Sequence, residues 1–326
     1  MIPIRFILAG TLFVGIGGLL SAQQTASSAA DPVVAYFVFL NDAHAELTAR
    51  QIAYLQHTVH HHTETGSARI DLLAGIERIR LRVAQHDRPE EELYGQFMAV
   101  LETYRKLFER QFSRAETLLP GANPTHASLQ TYLHELSSAE DGLARASSAF
   151  VAAQEKYAAR HGIQLREGEF ASEIAQLNAL NAYQRPLYLT AFRLNELNNT
   201  FLDLIDGGNF SAALPARSAL QRALTTELPA LRARDSYRGE TGFRQSVLQF
   251  ATLLQKLADD HYPALLRAAE VGGPGRLGAA ELAAYNAAIA AMNMQLPAAL
   301  AATQREREEL LRKMVPNGAA RRTVRL

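Results

Sequence analysis

The chain has 326 residues, 48 % hydrophobic and 20 % charged, so it can bury a core and is not wholesale disordered. Lys plus Arg and Asp plus Glu number 33 each, which leaves no overall positive field to recruit nucleic acid. Cysteine is absent, which excludes disulfides, a thiol nucleophile, a thiolate metal site and the lipid-bearing cysteine of a bacterial lipoprotein.

The first 22 residues read as a signal peptide. Arg5 supplies the positive region, FILAGTLFVGIGGLL the apolar one, and LSA ending at Ala22 a small residue before a cut. Leu20 fits the small-residue rule poorly. The apolar run of about 17 residues keeps an uncut anchor as the rival reading. No other segment is long and apolar enough to span a bilayer, so the mature chain should carry no transmembrane segment. Export without cysteine suits a bacterial periplasm or cell surface.

A polar spacer, 23–30, leads to Asp31-Pro32, an N-cap with proline at the first helical position. The first helix should run to about His62, with Tyr36, Leu40, Ala43 and Leu47 on one face and then Ile52, Leu55 and Val59. A second helix carries Leu72, Ile76, Ile79 and Val83. The third carries Phe97, Leu101, Tyr104, Phe108 and Phe112 and stops at PGANPT. The fourth repeats apolar residues at 3 and 4 through Leu136, Ala139, Leu143, Ala146, Phe150, Ala153 and Tyr157, the seam of a bundle or coiled coil, and Gly162 caps it.

IQLREGE reads as irregular. The next helix holds Ile174, Leu177 and Leu180, and Pro186 should kink or split it before Leu194, Leu197, Phe201 and Leu204. A shorter helix covers about 211–233. Another carries Phe243, Val247, Phe250, Leu254 and Leu257. The last runs from about Gly278 to Lys313 with Leu282, Tyr285, Ile289, Met292 and Leu296 on its stripe. Its alanine-rich first half permits close packing, whereas its charged end, QREREELLRK, should extend into solvent or meet a partner. The tail 316–326 is basic, with Arg321, Arg322 and Arg325. Eight helices and no convincing strand give an all-α fold of two tandem antiparallel bundles, 31–162 and 163–315.

HTVHHHTE is the sharpest local feature. On a helix, His57, His61 and Glu64 share a stripe with His60 beside it, facing away from Ile52, Leu55 and Val59. His57 and His61 at i, i+4 can chelate Zn, Ni or Cu through neutral imidazoles, and Glu64 can add an oxygen. A solvated helix end is the plainer reading, since histidines there meet the negative end of the dipole. Glu-x-x-His, His-Glu-x-x-His, Gly-x-Ser-x-Gly and the Walker A motif are absent. Residues 273–278 fit GxGxxG but follow a helix and contain Pro274, so they form a loop. Met292 and Met294 read as packing rather than copper handling.

KYAARHGIQLREGE, FLNDAHAEL and AAYNAAIAAMN together resemble a family of uncharacterised, exported, all-helical bacterial surface proteins, over roughly 31–315. The resemblance implies an all-α fold and an envelope location, and it brings no catalytic residue. The expected role is non-catalytic: an exported envelope protein binding a protein or cell-envelope polymer through helix faces, without nucleic acid. The alternatives are a periplasmic metal-binding protein using the His57–Glu64 cluster, and an enzyme with an unrecognised site.

Overall fold

A computed structural model describes residues 20–22, 32–60, 65–86, 91–118, 125–167 and 170–315. These residues form eight helices: α1 (Pro32–His60), α2 (Thr65–Ala84), α3, α4 (His126–His161), α5 (Ala171–Asp206), α6 (Phe210–Ala233), α7 and α8 (Ala279–Met314). Helix α3 begins as Glu91–Lys106, passes through a π-helical stretch, Leu107–Phe112, and finishes as Ser113–Leu118. Helix α7 does the same, with Gly242–Lys256, the π stretch Leu257–His261, and Tyr262–Glu270. The fold is all-α. Its extended segments β1 (Leu20–Ala22) and β2 (Leu165–Glu167) pair antiparallel over three residues, far too short to form a layer.

Local chemistry sets the helix ends. Gly162 at φ +65° lets the Ile163 N–H reach back to the Ala158 carbonyl and closes α4. Gly208 at φ +69° closes α5 in the same way, through Asn209 N–H to the Leu204 carbonyl. Asn209 then caps α6, its side-chain oxygen accepting from the Ala212 N–H at 3.3 Å. Between α6 and α7, Arg238 and Gly239 both take positive φ, and Tyr237 and Glu240 bond across the tight turn they make. Pro186 does not split α5, which is one helix from Ala171 to Asp206.

Two compact units emerge. The first holds the described residues within 20–118, 128–181 and 314–315, and the second holds 125–127 and 182–313. The division falls inside α5, between Asn181 and Ala182, beyond the Gly162 cap. In the first unit the aromatic residues foreseen on α3, Phe97, Tyr104, Phe108 and Phe112, are fully buried, as are Leu136, Leu143, Phe150 and Tyr157 of α4. Phe37 stacks on Tyr157 at 5.4 Å and His44 meets Phe150 at 5.0 Å, so α1 and α4 run antiparallel. His44 also meets Phe97 at 6.1 Å and Tyr54 meets Phe108 at 5.3 Å, so α1 and α3 run parallel. The second unit repeats the scheme. Phe201 of α5 stacks on Tyr262 of α7 at 4.5 Å, and Arg307 of α8 reaches back to Gln184 of α5.

Two expectations for α8 hold only in part. Its charged end does not project into solvent: Thr303, Arg307, Leu310 and Leu311 are buried. Its foreseen stripe is not a core face at the start, since Leu282 is exposed and burial begins at Ala288. The register explains this. With Arg307 beside Gln184 and Tyr188, the antiparallel α5 ends at Asp206, opposite the second or third turn of α8. The turns before that point have no α5 to cover them.

Candidate functional site

The seam of α4 is not the one its alanines announce. Ala146 and Ala153 are half-exposed, and Ser147 and Gln154 take the inward positions, giving Leu143, Ser147, Phe150, Gln154 and Tyr157 at spacings of 4, 3, 4 and 3. Helix α1 faces it with the same spacing: Phe37, Asn41, His44, Thr48, Gln51 and Leu55, all buried. The apolar face read from the sequence, Tyr36, Leu40, Ala43 and Leu47, is buried too, so α1 is covered on two sides. A helix buried this widely must bring polar residues inside, and here they line up.

Gln154 donates from Nε2 to Oδ1 of Asn41, one level above the His44–Phe150 contact. Tyr104 of α3 and Ser147 of α4 share a hydrogen bond at 3.0 Å, and burial pushes the Tyr104 phenol well above its ordinary range. The Thr48 hydroxyl donates to the His44 carbonyl at 3.0 Å, which occupies it within its own helix. His44 is 1 % exposed. Both its ring nitrogens, both side-chain polar atoms of Gln51, Oε1 of Gln154 and Nδ2 of Asn41 are buried without a hydrogen-bond partner among the protein atoms. A buried polar atom left so costs about 1–3 kcal/mol. Burial alone pulls the His44 imidazole down from 6.5 to about 4, so the ring is neutral at pH 7.

The histidine cluster fares differently. His57 is half-buried near the end of α1, while His61, His62 and Glu64 lie outside the described residues, as does the side chain of His60. Two other histidines of the first unit sit away from His57. His44 is 13 positions back along α1, about 20 Å by helix rise. His86 stacks on Phe39 at 4.0 Å and lies against Tyr36, near the start of α1. Among the described residues, no three His, Cys, Asp or Glu side chains gather to hold a metal. Glu46 and Arg50 are committed to each other at 2.7 Å, and Glu46 also to Arg82 of α2.

In the second unit the corresponding buried polar contact is charged. The Arg307 guanidinium donates from Nε to Oε1 of Gln184 at 3.1 Å and lies 4.4 Å from the centre of the Tyr188 ring. The π stretch of α7 is held by α6: Arg217 donates to the Ala258 carbonyl at 2.7 Å and Gln221 donates to Asp259 at 2.7 Å. On the surface of α8, Ala283, Ala287, Ala290 and Met294 are exposed at spacings of 4, 3 and 4, and Met294 is 75 % exposed. No charged residue occurs from Leu282 to Gln304. Among the described residues, no helix is long and apolar enough to cross a membrane. No protein family, curated protein or solved structure matches this chain.

Proposed function

We propose that the protein is a non-catalytic, exported envelope or surface protein that binds a protein or cell-envelope polymer through a helix face. The observation that carries this reading is the exposed face of the uncharged stretch of α8, Leu282 to Gln304, with Met294 near its middle. Soluble monomers seldom leave a long apolar helix face bare without a use for it. The alanines let a partner backbone approach closely, and Met294 is an adaptable apolar anchor. Export rests on the N-terminal sequence and on the resemblance to exported helical surface proteins. The absence of every catalytic motif sought in the sequence supports a binding role.

The test is photo-crosslinking from position 294 in cells producing the full chain, with position 222 on α6, also exposed, as the reference. The expected result is a discrete adduct from 294 alone that Ala290→Glu abolishes. Equal labelling from both positions, or none from 294, sinks the reading.

A further inference from the structure

We propose that the first bundle is an acid-responsive device in which proton uptake by His44 loosens α1 from α3 and α4. The geometry around the ring carries the inference, independently of the partner-binding reading. The edges and faces of Phe97 and Phe150 enclose the imidazole from α3 and α4, at 6.1 and 5.0 Å. Neither ring nitrogen has a protein partner. A protonated ring would present two N–H donors and a positive charge to that enclosure.

Among the described residues, no facing element offers a compensating carboxylate near the ring. From α1 itself the neighbours along the seam are Asn41, Thr48 and Gln51, all neutral. From α4 they are Ser147, Phe150 and Gln154, and from α3 Phe97 and Tyr104, whose phenol is held protonated by burial. Helix α2 gives Ile76, Ile79 and Val83 to the core of this unit. Its Arg82 is paired with Glu46, and Glu46 with Arg50, at partly exposed positions. The buried carboxylate of α4, Glu140, is ten residues from Phe150, about 15 Å along the axis. Burial is accordingly the cause acting on the His44 proton affinity.

The sign follows. The folded ring binds its proton near pH 4 and the unfolded one near 6.5. The unfolded or opened state therefore holds more protons across that window, and the bundle weakens as pH falls through it. The carboxylates held low by arginines, such as Glu46 and Glu77, act below about 4.5, at the acid edge of this window.

The experiment is hydrogen exchange of the full chain at about pH 7 and pH 4.5, corrected for intrinsic rates, with NMR titration of the histidine rings. Protection in α1 and α4 should fall by up to about a hundredfold at the lower pH, while α6 and α7 hold theirs. His44→Phe, which fills the site without titrating, should remove that loss, and His86→Gln should keep it. The wild-type ring titration needs no variant to fold: a His44 that stays neutral well below pH 6 supports the device. A His44 that titrates near 6.5, or an unchanged acid response in His44→Phe, overturns it.

Discussion

The fourth helix of each bundle, α4 in one and α8 in the other, is 36 residues long, and each joins a buried polar side chain to one on the first helix of its own unit. In the first unit that contact is Gln154 to Asn41, neutral on both sides. In the second it is Arg307 to Gln184, with the guanidinium under the Tyr188 ring. A guanidinium keeps its charge at every pH a protein meets. The first seam is thus neutral but holds a titratable ring, and the charge at the second seam does not titrate. Two bundles with one topology thus differ in their response to acid through the polar residues at their seams.

The largest effect that would break this comparison is the acid response. Taking His44 from pH 7 to below 4 should cost the first unit about 3 kcal/mol, read as a fall in its denaturant midpoint. The second unit, whose half-buried His126 is lowered mainly by burial, should lose less over the same range. A common fall in both would end the contrast. Next, Gln184→Leu removes an acceptor from a buried charged donor and should cost the second unit about 2 kcal/mol, equally at pH 7 and 5. In the first unit, Gln154→Leu strands Oδ1 of Asn41 and should cost about 2 kcal/mol, whereas Asn41→Leu with Gln154→Leu should recover most of it. Urea melts of the four proteins in that cycle give the coupling. Asn209→Ala removes the α6 cap and should cost about 1 kcal/mol, confined to the second unit. The smallest expectation concerns metal: Zn, Ni or Cu should leave the melting temperature unchanged. Stoichiometric binding lost in His57→Ala/His61→Ala would instead turn the function towards metal handling.

The helices were legible because burial repeats at the helical period. Leu72, Ile76, Ile79 and Val83 of α2, and the aromatic residues of α3, occupy the positions their spacing announces. The polar seam was not, because a hydrophobic stripe marks only residues that prefer the interior. Asn41, Thr48, Gln51, Ser147 and Gln154 are inside because helix geometry puts them there. One signal was available: Phe37, Asn41, His44, Thr48, Gln51 and Leu55 keep the same alternation of 4 and 3 as the apolar seam of α4. The π stretches left no periodic trace, since one added residue per turn leaves the flanking apolar positions in register with their own segments. The uneven burial of α8 is a matter of length. Composition favours burying alanines over charges, but α5 ends at Asp206, and where the neighbouring helix stops decides which half is covered.

The uncharged run of α8 also governs how the surface is seen by proteases. Between Arg276 and Arg305 there is neither lysine nor arginine. Trypsin therefore passes over the most exposed helical turns of the second unit, while an enzyme that cuts after alanine finds a site at almost every turn once the helix opens locally. A tryptic fingerprint would report this region as inert whether or not a partner lies on it. An elastase fingerprint would distinguish the two, because a bound partner would hold those turns closed.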